Sequence, residues 1–192
     1  TEAFTGESLF GRKVGLQGLG VIGQEFVRLL GPFGCDVSAY SPHCPDEVFE
    51  RLGVRRQADL AALYAENDVI SIHASNTPEN RHIVNAEILA GMKDGAVLVN
   101  TARGAIIDTG ALIEKLKERT VWAALDVYEQ EPLPEDSPLR GMRNALLLPH
   151  QGGPTPDWRP RMGEHALENL TRYVAGEEVT DIVTLRKYDL IT

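Results

Sequence analysis

A chain of 192 residues suits one sizeable domain with its own core. It is 43% hydrophobic and 24% charged, a globular composition, and no apolar run approaches the ~18–20 residues of a membrane helix. A net charge of -9, with Arg12-Lys13, Arg55-Arg56 and Arg186-Lys187 as the only adjacent basic pairs, argues against a nucleic-acid surface. Cys35 and Cys44 lack the spacing of a metal site; a disulfide between them is open, but reduced thiols in a cytoplasmic protein are the expectation.

Strand and helix signals alternate along the chain. Lys13–Gln17 reads as a strand, and Val21–Leu30 carries Ile22, Phe26, Leu29 and Leu30 at helical spacing before Gly31-Pro32 stops it. Asp36–Tyr40 is the next strand, followed by a proline-bracketed turn and a short helix near Asp46–Arg51. A weak strand at Val54 and a helix near Ala58–Tyr64 follow, then a clear strand at Val69–His73. A short helix over 85–91 precedes a strand over 96–100. Asp108–Glu118 is amphipathic, with Asp108 a candidate cap, and Trp122–Val127 and Ala145–Leu148 are two more apolar strands. Asp157–Ala175 is a long helix with Met162, Ala166, Leu170 and Val174 in phase. Such alternation predicts an α/β domain of the Rossmann type, a doubly wound parallel sheet with helices on both faces. The expectation is a single domain over 1–192 with its core at about 9–176. Residues 1–11 and 177–192 carry little core pattern and read as connections.

The stretch VGLQGLGVIGQEF supplies Gly18-x-Gly20-x-x-Gly23 between a strand and a helix. In that context the motif reads as a dinucleotide loop: Gly18 for the tight turn, Gly20 for close approach of a pyrophosphate, Gly23 for helix–strand packing. The helix N-terminus then offers N–H groups and positive potential to phosphates. The acidic residue usual at the end of the second strand is replaced by Ser41. A hydroxyl can bond a ribose, but no carboxylate repels a 2′-phosphate and no arginine follows at once. NAD is therefore expected, with NADP possible.

Arg103 stands at the mouth of the 96–100 strand, in VNTARGAIID, where open α/β sheets bind ligands, so its guanidinium needs an anion. His150, after the 145–148 strand, is expected at the same edge.

Three stretches, MKDGAVLVNTARGAIID (92–108), AALDVYEQEPL (123–133) and LLLPHQGGPT (146–155), make the chain resemble the D-isomer-specific 2-hydroxyacid dehydrogenases over roughly residues 8–180. The resemblance implies oxidoreduction between a D-2-hydroxy acid and its 2-keto acid. It implies Arg103, Glu131 and His150 as catalytic residues: the arginine for the substrate carboxylate, the histidine as acid/base, the glutamate as its partner. It also implies Asp126 at the nicotinamide carboxamide, Val21 and Ile22 at the pyrophosphate, and Ala74, Thr101, Ala102 and Gly152 lining the cofactor. Glu129 is as acidic as Glu131, and the resemblance alone selects between them. Departures are Ser41, Ser75 where the family often has proline, and Gln151 where an apolar residue is usual.

Such chemistry suits the residues. Arginine's planar fork matches a carboxylate, and histidine titrates near neutrality and can give or take a proton. His73 reads as a structural or cofactor-pocket residue, His43 as a solvated loop residue, His82 and His165 as surface groups. The expected partners are a small 2-keto or 2-hydroxy acid and a second copy in a homodimer, without nucleic acid, membrane or metal. The glycine loop starts at Gly18, so the expectation is a cofactor domain whose substrate domain is largely absent. A cofactor-sensing, corepressor-like module without turnover is the alternative reading.

Overall fold

The computed structural model describes residues 7–185 and 188. It divides into two compact units, residues 1–149 and 150–192, each described by itself; the expected connections at 1–6, 186–187 and 189–192 lie outside the described residues.

The first unit is built on a seven-stranded parallel sheet. Its strands are β1 (Lys13–Gln17), β2 (Asp36–Tyr40), β3 (Arg55–Arg56), β4 (Val69–Ile72), β5 (Val97–Asn100), β6 (Trp122–Leu125) and β7 (Ala145–Leu147). The order is β3-β2-β1-β4-β5-β6-β7, so the winding reverses between β1 and β4. Helices α1 (Val21–Leu30), α2 (Asp46–Leu52), α3 (Leu60–Glu66), α4 (Ala86–Ala90) and α5 (Thr109–Lys117) make the crossovers.

Two hydrophobic clusters cover the sheet. One joins Val14 and Leu16 of β1 with Val27 and Leu30 of α1 and Phe49 of α2. The other joins Ile70 and Ile72 of β4 with Leu63 of α3, Leu89 of α4 and Leu112 and Leu116 of α5. Apolar residues on both sides of the central strands are what a sheet buried on two faces requires. The doubly wound expectation therefore holds.

Local chemistry sets the element ends. Asp59, Asn85 and Asp108 each accept a hydrogen bond from the backbone N–H three residues on, at 2.7, 3.1 and 3.0 Å. They shorten the 58–64 expectation to a start at Leu60 and bear out Asp108 as a cap. The third strand is Arg55–Arg56 rather than Val54, which is buried in the core instead. Buried Asn144 donates to the carbonyls of Leu116 (2.9 Å) and Val121 (2.8 Å), joining the end of α5 to the start of β6.

In the second unit, α6 (Arg159–Ala175) starts two residues later than expected, with Pro160 in its first turn, and ends at Gly176 in the left-handed conformation that glycine tolerates. None of its residues is buried; Met162, Leu170 and Val174 are all exposed.

Candidate functional site

The strand register aligns the ends of the sheet in one row. Gln17 is opposite Tyr40 on one side and Ile72 on the other, Ile72 is opposite Asn100, Asn100 is opposite Leu125, and Leu125 is opposite Leu147. Gly18, Ser41, His73-Ala74, Thr101-Ala102-Arg103 and Asp126 all follow that row directly, at the carboxyl edge where open parallel sheets bind ligands.

The glycine loop tests whether a dinucleotide fits. Gly18 has φ +96°, and a Cβ there would lie 2.8 Å from the Ala74 nitrogen and the His73 carbonyl. Its N–H donates to the Tyr40 carbonyl at 2.9 Å, tying the loop to β2. A Cβ on Gly23 would lie 2.8 Å from the Gly18 oxygen, so helix and loop meet backbone to backbone. At Gly20 a Cβ would meet nothing within 4 Å, and Val21 and Ile22 are 68% and 69% exposed. The first turn of α1, whose N–H groups an α-helix leaves without internal partners, thus faces open space with no side-chain cap. A phosphate fits this cradle.

Ser41 is half-buried beyond β2. Arg56 reaches back from β3 to donate to the carbonyls of Ser41 (3.2 Å) and Cys44 (2.5 Å). Its guanidinium also pairs with Asp46 at 2.8 Å and stacks over Phe49 at 3.9 Å. A cation thus stands beside the loop where sequence reading found none adjacent, because β3 pairs with β2 in register. His43 lies close enough to Glu79 to lower that carboxyl, after the hydrogen bonds from the Glu79 backbone and Thr77 that act most on it.

His73 lies under the glycine loop. Its ring packs on Phe26 at 5.2 Å and contacts the Ser71 hydroxyl at 3.0 Å through Nε2. Burial lowers its pKa to about 4, so it is neutral at pH 7. The unfolded chain takes up this proton near pH 6.5 and the folded one only near 4. Stability from this group is therefore complete above pH 6.5 and is lost as the pH falls toward 4, by about 2 kcal/mol after allowance for residual solvent contact. Urea titrations at pH 7.5 and 4.5 should show this part of the acid sensitivity disappearing in His73→Gln; an unchanged difference would show that His73 does not contribute.

Arg103 leads a 3₁₀ turn, Gly104–Ile106, after β5. The turn is framed by Asn100, a residue sequence reading passed over. Buried Asn100 donates to the Arg103 carbonyl at 2.9 Å and accepts from the Ala102 N–H at 3.0 Å. A polar residue ending an apolar strand was its only signal. The Arg103 guanidinium is exposed and donates through Nη1 to its own neighbour's carbonyl, Ala102, at 2.7 Å.

Gly104 packs against the segment that carries the acidic residues. A Cβ at Gly104 would stand 1.9 Å from the Tyr128 carbonyl carbon and 2.4 Å from the Glu129 nitrogen. The Arg103 and Glu131 loops are thus brought together. Glu131 curls back to accept the Tyr128 N–H at 3.0 Å, while the Tyr128 hydroxyl lies 3.1 Å from the Leu125 carbonyl and 2.8 Å from that of Leu148. Asp126 is 2% exposed, and its N–H donates to the Asn100 carbonyl at 3.0 Å. Glu129 turns toward His82, whose Nε2 it meets in a side-chain hydrogen bond at the surface.

His150 and Gly152 open the second unit. His150 is exposed, with φ +54°. In the same unit His165 pairs with Asp181 at 3.1 Å.

Comparison with known proteins bears on this arrangement. A family model described as D-isomer specific 2-hydroxyacid dehydrogenase, NAD binding domain, matches residues 1–152. A D-3-phosphoglycerate dehydrogenase of Methanocaldococcus jannaschii is 40% identical over 183 residues, which are 95% of this chain and 35% of that protein. A glyoxylate reductase of Aeropyrum pernix is 38% identical, over 93% of this chain and 53% of that protein. The apo structure of D-lactate dehydrogenase from Escherichia coli superposes with a TM-score of 0.78 at 36% identity, over 94% of this chain and 56% of that one. The chain thus spans between a third and somewhat over half the length of these relatives.

Proposed function

The chain belongs to the D-isomer specific 2-hydroxyacid dehydrogenase family as its NAD-binding domain, and we propose that it serves a reaction interconverting a small D-2-hydroxy acid and its 2-keto acid. The observation that carries the reading is the single row of strand ends, which supports one ligand-facing edge for the glycine loop, Ala74, Arg103 and Asp126. The residues proposed to hold the dinucleotide are Gly18, Gly20, Val21, Ile22, Gly23, Ser41, Ala74, Thr101, Ala102, Asp126 and Gly152. When bound, NAD supplies the two-electron redox step.

The chain's own residues do the rest. Arg103 takes the substrate carboxylate through its planar fork and draws electron density from the adjacent carbonyl. Glu131 and His150 supply the carboxylate and the imidazole of the proton transfer, the imidazole giving a proton to the oxygen in reduction and taking it back in oxidation. The relatives' names, reductase and dehydrogenase, favour turnover over cofactor sensing, and glyoxylate is the first substrate to test. A homodimer in the cytoplasm belongs to the same proposal; the exposed apolar residues of α6 supply surface for self-association.

Two measurements test the reading. Calorimetry of the chain with NADH should show saturable binding, and glyoxylate reduction should be followed in the protein that bears these 192 residues. Binding without reduction of glyoxylate or hydroxypyruvate would return the alternative of a sensing module.

Coenzyme choice follows from Ser41 and Arg56. Without a carboxylate at 41, NAD and NADP should differ less than ~100-fold in affinity, about 2.7 kcal/mol, with NAD preferred. The Arg56 guanidinium already serves two carbonyls, Asp46 and Phe49. Ser41→Asp should sharpen the preference for NAD by weakening NADP alone. Equal weakening of both would mean that residue 41 does not face the 2′ position.

A further inference from the structure

Two segments, 81–84 and 104–109, meet the one that carries Glu129, whose carboxylate touches both while its backbone packs on the second at Gly104. Glu129 accepts the Thr109 N–H at 3.2 Å, at the start of α5, and pairs with His82 Nε2 from the segment before α4. Arg81 adds a longer ion pair at 3.8 Å. The Glu129 nitrogen lies where a side chain on Gly104 would have to go. The His82 segment is stitched to the arginine turn by its backbone: His82 N–H donates to Ala105 at 2.8 Å, Val84 N–H to Ile106 at 3.1 Å, and Asp108 N–H back to Val84 at 3.0 Å. His82 holds φ +52°, a left-handed conformation that costs a non-glycine residue and persists where its surroundings enforce it.

Partial burial pushes the Glu129 carboxyl up, but the Thr109 and His82 hydrogen bonds outweigh it and hold the group below the ordinary carboxylate range. The carboxylate is thus charged and committed to these partners. None of the bonds reaches Arg103 itself. They fix the backbone on both sides of its turn, while Asn100 fixes the turn from beneath.

We propose that Glu129, paired with His82, is a positioning residue for Arg103, tying together the loops that clamp the arginine turn. The role rests on Arg103 being the carboxylate-binding residue of the proposed reaction. It differs from that of Glu131: Glu129 meets no reacting atom and acts through the orientation of the guanidinium. A substrate without a carboxylate gains nothing from a fixed Arg103, so the effect belongs to carboxylate recognition and leaves the dinucleotide cradle at Gly18–Gly23 unaltered.

The test uses Glu129→Ala, Glu129→Gln and Arg103→Ala, alone and combined, in the protein that bears this domain, with glyoxylate as the probe. Glu129→Ala should raise KM for glyoxylate about tenfold and lower kcat, with the Kd for NADH within twofold of the parent. Glu129→Gln keeps an acceptor for Thr109 and should recover part of the loss. In the Arg103→Ala background, Glu129→Ala should change kcat/KM less than twofold, since residues acting as a unit are not additive. Amide hydrogen exchange at Ile106 and Thr109 should quicken in Glu129→Ala with the β1 amides unchanged.

Additive losses in the double variant, or a parallel rise in the Kd for NADH, would overturn the proposal in favour of a general loss of structure. Unchanged exchange at Ile106 and Thr109 would overturn it whatever the kinetics. A parent that binds NADH but does not reduce glyoxylate would count against the proposed function instead; the exchange comparison would still decide whether Glu129 holds the turn.

Discussion

Gly104→Ala is expected to destabilise the first unit by about 3 kcal/mol or more, lowering its melting temperature by roughly 10 °C. The reason is space rather than backbone conformation. The added carbon would fall 1.9 Å from the Tyr128 carbonyl carbon and 2.1 Å from its oxygen, and neither is the end of a flexible side chain. The 3₁₀ turn and the 128–131 segment must separate. That breaks the fit between the loops of Arg103 and Glu131, and Ile106, fully buried in the core, must shift with the turn. Thermal unfolding followed by circular dichroism checks the first effect, and limited proteolysis within 126–133 checks the second. A variant melting within 2 °C of the parent, with the same cleavage pattern, would mean that the two segments are not in backbone contact.

Arg103→Lys should lower kcat/KM for a 2-keto acid by on the order of 100-fold, about 3 kcal/mol, the scale of losing one preorganised donor to a developing oxyanion. Lysine keeps the charge but presents a rotatable ammonium in place of two parallel N–H groups. The backbone should tolerate the change: Arg103 is extended, and its turn is held through the Asn100 side chain rather than its own. Stability and NADH affinity should therefore stay near the parent's while turnover falls. Steady-state kinetics beside calorimetry separates the two. An unchanged kcat/KM would remove Arg103 from substrate recognition, and an equal loss in NADH affinity would move it to the cofactor.

Much of the fold was legible because the signals that specify it are local. The apolar runs at 13–17, 69–72 and 97–100 fall on central strands, and the Gly18-x-Gly20-x-x-Gly23 spacing falls on a strand-to-helix turn. Asp108 caps its helix because a side chain three residues from a free N–H needs no tertiary partner. Element ends were less legible. Val54 reads as strand by its side chain, yet pairing with β2 falls on Arg55 and Arg56, whose long stems are compatible with an exposed edge.

What sequence by itself determined was the list of chemically able residues and the family that uses them. Choosing among equals needed the tertiary structure. Glu129 and Glu131 are identical side chains two residues apart; the approach of the 81–84 and 104–109 segments gives Glu129 its contacts with His82 and Thr109, while Glu131 accepts the Tyr128 N–H within its own loop. Arg56 is fifteen residues from Ser41 in the chain and bonded to it in space, since parallel pairing of β2 and β3 closes that interval. Asn100 looked like the end of a strand and is the frame of the arginine turn. Local patterns record what each residue prefers; which loop meets which is settled by the order of strands in the sheet, a property no single stretch of sequence carries.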